Sequence, residues 1–375
     1  QRMSVPSGLS SRGDHISEAP STTAPAAIFA LSLSVLVVWA NQKIQPSPPK
    51  ICGSPNSYPV TSPRIKLSDG RHLAYRERGV PKESSKHKII IVHGFDSSKD
   101  INLVASQELI EELGIYFLSF DRAGYGESDP NPMRSVKSEA FDIQELADQL
   151  QLGDTFYVLG YSMGGYPIWG CLKYIPHRLA GAVLVAPVVN YWWSSFPSNL
   201  TGEVYKKLLL RDQWSFRVAH YLPQLLYWWL TQKWFPILSF IEDIPEIHSM
   251  NDKAIIKKMS ETPSPSQNKL QQPGVFDSIR RDFIAAFSKW DFDPLEFQNP
   301  YVKNECSVHI WQGFEDKVVP VELQRYVSRK LPWVRYHEVP DGGHLLVYDK
   351  VVCEAILRSL LLGEDPPLYR PKLDD

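Results

Sequence analysis

The chain has 375 residues, 43% hydrophobic and 22% charged, near ordinary globular usage, so neither disorder nor a polytopic membrane protein is the default. Its length exceeds that of a typical single domain, so one large core carrying an insertion and an N-terminal extension is expected. With 40 Lys and Arg against 42 Asp and Glu, the formal net charge is −2 and no basic stripe exists, which argues against a nucleic-acid partner.

Residues 1–25 are rich in Ser, Pro, Thr and Ala and read as a disordered leader, because so little apolar surface cannot offset the entropy of ordering. An uncharged apolar run follows at 26–40, shorter than the roughly 20 residues of a spanning helix. The leading reading is a single N-terminal anchor that associates the protein with a membrane. The alternatives are a cleaved signal, giving a secreted or organellar protein, and a transit or interfacial segment. Val38 and Ala40 ahead of Asn41 suit cleavage, whereas Arg2 and Arg12 are balanced by Lys43 and Lys50, so no orientation is read. The first residue is Gln1, which reads as a processed or incomplete start. Residues 41–62 are proline-rich and read as an extended linker.

The folded core is expected from residue 63. RIKLSDGRHLAYRERG alternates around Asp69 and Gly70 as a tight hairpin does. Apolar runs at 89–92, 115–120, 156–159 and 182–186 then alternate with amphipathic stretches near 102–113, 138–151 and 164–174, and the rhythm resumes at 308–312, 321–330, 334–339 and 347–362. Such alternation predicts an α/β fold, a mostly parallel sheet flanked by helices. Residues 63–188 form its first part and 301–363 its second, with 364–375 as a tail. Between them, 189–300 breaks the rhythm and accumulates tryptophan, which predicts a helical cap with a mobile loop at 263–274. Cys52, Cys171, Cys306 and Cys353 have neither CxxC nor zinc-ligand spacing and read as free thiols.

The most specific motif is GYSMGG at 160–165, following an apolar strand and opening an amphipathic stretch. A nucleophilic serine needs a sharp strand-to-helix turn, and Gly160 and Gly164 let the chain pass without side-chain clashes, while Gly165 eases helix packing. A hydroxyl is a weak nucleophile, so Ser162 needs a base and a third group to orient that base. His344, just past a predicted strand and preceded by Gly342 and Gly343, is the candidate base. Asp316, just past the preceding strand, is the candidate acid, with Glu315 and Asp341 as nearby alternatives. An oxyanion hole is expected from the backbone amides of Met163 and Phe95, where Gly94 lets the chain bend. His93 reads as structural.

HGF at 93–95, DRAGYGESD at 121–129, GYSMGG at 160–165, Asp316 and GGH at 342–344 together resemble the α/β-hydrolase superfamily over roughly residues 64–362. Within it the chain resembles the serine esterase and monoacylglycerol-lipase-like branch, and plant membrane-associated members of unassigned substrate. The resemblance implies that Asp121 and Arg122 are scaffold residues, that 189–300 is the cap, and that the aspartate-nucleophile reactions of epoxide hydrolases and dehalogenases are disfavoured by Ser162. Most cap tryptophans should pack against the core and a subset should line an apolar pocket.

The expected function is hydrolysis of a small-molecule carboxylic ester, apolar in its lipid-like or aromatic acyl part, through an acyl-enzyme on Ser162. The parts require no cofactor and no metal. Acyl transfer, suggested by His344 and Asp349 in an HxxxxD spacing, carbon–carbon bond hydrolysis, and a non-catalytic small-molecule receptor remain as alternatives. Asn199, Leu200 and Thr201 spell an N-glycosylation acceptor, relevant only in a secretory lumen.

Overall fold

The computed structural model describes residues 57–236, 245–261, 275–301 and 306–366, together with 28, 29, 31, 32, 34, 46, 51–55, 238 and 239. The chain divides into two units, Gln1–Gln45 and Pro46–Asp375. In the first, Ile28, Phe29, Leu31, Ser32 and Ser34 are helical. The expected leader 1–25, the rest of the apolar run 26–40, the loop 263–274 and the end of the tail lie outside the described residues. Among the described residues no helix is long and apolar enough to cross a membrane.

In the second unit, the end of the linker is tied down rather than free. Glu127 accepts hydrogen bonds from the backbone amides and hydroxyls of both Thr61 and Ser62. The expected hairpin follows as β1 (Arg64–Lys66) and β2 (His72–Gly79), paired antiparallel. Next come β3 (His87–Val92), α1 (Gln107–Leu113), β4 (Ile115–Phe120), α2 (Val136–Gln149), β5 (Phe156–Tyr161), α3 (Gly165–Tyr174) and β6 (Leu179–Val185). After a long excursion the chain returns as β7 (Ser307–Gly313), α9 (Val321–Lys330), β8 (Val334–Val339) and α10 (Lys350–Leu362). The excursion contains α4 (Ser198–Lys207), α5 (Leu210–Tyr221), α6 (Leu226–Thr231), α7 (Met250–Glu261) and α8 (Val275–Phe287).

The eight strands form one sheet in the order β1-β2-β4-β3-β5-β6-β7-β8, parallel from β4 onward. The strand sequences read as continuous apolar runs because both faces are covered. In β3, Ile90 and Val92 face the core shared with α2, α3 and α9, while Ile89 and Ile91 face the core shared with α1 and α10. A third apolar cluster joins Met163 and Tyr166 to residues of α5, α6 and α8.

The excursion's tryptophans divide in two. Trp193 is buried, stacked on Phe196 and edge-on to Trp169 of α3, whereas Trp214 and Trp234 are 50% and 78% exposed. Packing against the core therefore accounts for only part of the set. All four cysteines are free thiols.

His309 and His337 lie side by side on β7 and β8, fully enclosed, with His309 Nδ1 3.0 Å from His337 Nε2. Burial, then the neighbouring imidazole, lowers the pKa of His309 from 6.5 to about 3. The unfolded chain therefore takes up a proton between about pH 6.5 and pH 3 that the folded chain refuses. Stability should fall as pH drops through that window, by up to about 1.4 kcal/mol per pH unit from this residue. Urea denaturation midpoints should decline accordingly, and His309→Gln should flatten the decline.

Candidate active site

Ser162 sits in a single 3-10 turn, Ser162–Gly164, between the end of β5 and the start of α3. Its φ is +53°, a conformation seldom tolerated by a residue with a Cβ. The turn is as crowded as the sequence suggests. A Cβ on Gly160 would lie 2.4 Å from the Gly164 carbonyl oxygen, one on Gly164 2.1 Å from that of Val92, and one on Gly165 2.5 Å from Pro187. A Cβ on Gly94 would come within 3.1 Å of Ser162 Cβ, so the loop after β3 lies directly against the serine.

The structure brings Ser162, His344 and Asp316 together from the carboxyl ends of β5, β8 and β7, where open parallel sheets place their ligand sites. His344 Nε2 is 2.9 Å from Ser162 Oγ and His344 Nδ1 is 2.9 Å from Asp316 Oδ2. A carboxylate can only accept, so the proton sits on Nδ1 and Nε2 is left to accept from the serine hydroxyl. All three side chains are buried. Glu315 and Asp341, the alternative acids, are exposed.

Asp316 is fixed by its surroundings. Its Oδ1 accepts from the amides of Val318 and Val319, and its Oδ2 accepts from Gln312 Nε2 as well as from the histidine. Gln312 is a residue that sequence reasoning missed, and its position inside a buried strand offers no signal. Burial works against a charged His344, but the Asp316 carboxylate, its hydrogen bond and the Asp252 carboxylate outweigh it and raise the pKa above the ordinary 6.5.

Phe95 and Met163 both pack into the cluster formed by α5, α6 and α8, and the Phe95 ring meets Phe283 of α8 edge-on. The turns carrying their amides thus border the serine on the side of the excursion. His93, read as structural, ties two loops together. Its Nε2 accepts from the Arg122 amide and its Nδ1 donates to the Gly94 carbonyl.

Asp121 and Arg122 also serve as scaffold. Asp121 accepts from the amides of Lys99 and Glu127 and pairs with the Lys99 ammonium. Arg122 is fully buried and forms a two-pronged pair with Asp282 of α8, which also binds Arg134, Tyr125 and Tyr166. Burial opposes ionisation of Asp282, yet the guanidiniums of Arg122 and Arg134 hold its carboxyl well below the usual range.

A cavity of about 310 Å³ has Asp316 in its wall, with Lys317, Phe216, Phe314, Asp212 and Glu246 among its other lining residues. No tryptophan is among the residues lining it. Trp193 packs against Trp169 of α3 and against Trp290.

Residues 89–354 match the alpha/beta hydrolase family. The chain belongs to that family. It is 22% identical over 288 residues to the Arabidopsis thaliana protein called "Probable lysophospholipase BODYGUARD 1", an alignment covering 70% of this chain and 56% of the relative. "Probable lysophospholipase BODYGUARD 2" from the same plant is 21% identical, with 71% and 57% covered. The chain thus spans little more than half the length of these curated relatives.

Among solved structures, a thermophilic esterase from Thermogutta terrifontis superposes with a TM-score of 0.52 at 20% identity, covering 80% of this chain and 97% of the esterase. A bromoperoxidase from Bacillus anthracis gives 0.54 at 17%, covering 81% and 100%. These likenesses establish the α/β-hydrolase fold. An esterase and a bromoperoxidase share it, so the scaffold does not by itself select a reaction.

The crowding at the serine turn predicts that Gly164→Ala, by forcing its methyl onto the Val92 carbonyl, costs about 3 kcal/mol of stability. Chemical denaturation of the variant beside wild type measures this.

Proposed function

We propose that this hydrolase-family chain cleaves carboxylic esters through an acyl-enzyme on Ser162. The observation that carries the reading is the hydrogen-bonded chain from Ser162 Oγ through His344 to Asp316, ending on a serine held at positive φ. In this reading His344 Nε2 takes the hydroxyl proton as Oγ attacks the ester carbonyl. Asp316 keeps the Nδ1 proton in place and stabilises the imidazolium that forms. The amides of Phe95 and Met163 receive the developing oxyanion. Collapse expels the alcohol, which leaves with the proton from Nε2. Water, deprotonated by the same nitrogen, then releases the acid.

The substrate class rests on weaker support. Relatives named as probable lysophospholipases and a structural neighbour named as an esterase favour a lipid-like ester. Acyl transfer through the HxxxxD spacing gains nothing from the structure, because Asp349 accepts from the amides of Val351 and Val352 as the N-cap of α10. The apolar run 26–40 is proposed as the anchor that would place such an enzyme at a lipid surface.

Labelling with a fluorophosphonate, followed by hydrolysis of p-nitrophenyl esters of increasing chain length, tests the proposal. Wild type should label and turn over, and Ser162→Ala should do neither while remaining folded. A folded wild type that neither labels nor turns over rejects the proposal. His344→Ala should slow turnover more than Asp316→Asn does.

The pH profile supplies a second check. Proton uptake by His344 removes the base, so kcat/KM should fall on the acid side, with a midpoint above the 6.5 of an ordinary histidine.

A further inference from the structure

Asp252 lies in the first turn of α7, within the excursion, and is completely buried. With Ser249 it forms a capping box, in which Ser249 Oγ accepts from the Asp252 amide at 3.0 Å and Asp252 Oδ2 accepts from the Ser249 amide at 3.0 Å. A carboxylate that merely capped a helix would end its contacts there and face water. This one reaches further. Its Oδ2 also accepts from the His344 amide at 3.1 Å, and its Oδ1 accepts from the Leu345 amide at 2.7 Å.

The loop from β8 to His344 is also held by backbone bonds at its beginning and, at its end, by the Tyr161 hydroxyl, which donates to the His344 carbonyl at 3.4 Å. The Phe314 amide donates to the Val339 carbonyl, the Glu315 amide to the Gly342 carbonyl, and the Gly342 amide to the Val339 carbonyl. Past Gly342, the two successive amides of His344 and Leu345 both turn to Asp252. The approach is so close that a Cβ on Gly343 would stand 2.1 Å from Asp252 Oδ2 and 2.2 Å from Ser249 Oγ. The glycine before the histidine is therefore required by contact with α7 and not only by the bend of the loop.

We propose that Asp252 is a positioning residue of the site: its carboxylate pins the His344 backbone so that the imidazole bridges Ser162 and Asp316, which makes the chemistry depend on α7 being seated. The inference rests on the serine-hydrolase reading above. The pin also acts electrostatically. The titratable groups facing the imidazole are Asp316 from the loop after β7, Asp252 from α7, and the Tyr161 phenol from β5, whose ring lies 5.5 Å away. Asp252 is a second carboxylate favouring the imidazolium, so it stabilises the charge that appears on His344 when Ser162 gives up its proton. Lifting α7 would loosen the histidine and remove that charge together.

Fluorophosphonate labelling and p-nitrophenyl butyrate hydrolysis, followed across the pH range in which the protein stays folded, test this. Labelling of wild type and not of Ser162→Ala secures the reading on which the inference rests, and an unlabelled wild type overturns both. Given labelling, Asp252→Asn should lower kcat about tenfold or more, through a displaced imidazole. Its acid limb should move to lower pH, because one carboxylate no longer favours the imidazolium. Asp252→Glu, which keeps the charge, should return the acid limb towards the wild-type position. Ser249→Ala, which loosens the cap but spares the charge, should lower kcat and leave the limb where it was.

A folded Asp252→Asn with wild-type kcat and an unmoved acid limb overturns the proposal. Should that variant not fold, Gly343→Ala carries the test. Its methyl must push α7 off the loop without altering any charge, so labelling should slow, and a wild-type labelling rate in folded Gly343→Ala overturns the proposal equally.

Discussion

A serine held at φ +53° costs about 1–3 kcal/mol of backbone strain, and the surrounding structure supplies the restraint that keeps it there. β5 delivers the chain from a fully hydrogen-bonded central position, α3 departs immediately, and the Ser162 carbonyl accepts from the Val188 amide. Two other non-glycine residues at positive φ, Asp96 and Ala186, follow β3 and β6, the strands on either side of β5. Three strained residues thus share one edge of the sheet, the edge where Ser162, His344 and Asp316 meet. The parallel sheet is the rigid body against which that strain is held.

The helical excursion is fastened to this edge by two buried carboxylates of different character. Asp282 of α8 meets the paired cations Arg122 and Arg134, with Glu139 completing a neutral set of two positive and two negative charges. Removing one member of such a set leaves an uncompensated buried charge, which is costly in a way that an exposed pair is not. Asp252 of α7 pairs with no Lys or Arg among the described residues and accepts from the backbone amides of Ser249, His344 and Leu345. The first fastening holds the excursion in place, and the second reaches the loop that carries the imidazole.

How much of this was legible in the sequence follows from the range of each interaction. β4, β8 and α9 begin and end where the apolar runs and amphipathic stretches do, because burial on two faces writes an unbroken pattern into local sequence. GYSMGG announced the serine turn because the steric demand there is itself local. Asp316 and His344 could be placed because each follows directly on a strand. Gln312 and Asp252 carried no comparable signal. Gln312 resembles any strand residue until its amide is seen against Asp316, and Asp252 resembles an ordinary capping-box acid until His344, 92 residues later, is folded beneath it. The tryptophans differ among themselves for a related reason, since composition records that aromatic surface is present but not whether it meets the core, as at Trp193, or water, as at Trp234.

Arg122 and Arg134 lie 160 and 148 residues ahead of the aspartate that neutralises them. A chain made from its N-terminus completes β3 to β6 long before that aspartate exists, so the nascent sheet holds cations in an apolar setting without their final counter-charge. Closing a loop of that length costs on the order of 4–5 kcal/mol in chain entropy before any contact repays it. The order of assembly is thereby biased. Strands β3 to β6 precede Asp282 in the chain and β7 and β8 follow it, so Glu139 is the one acid of the set available to the two arginines until the helical segment has been made.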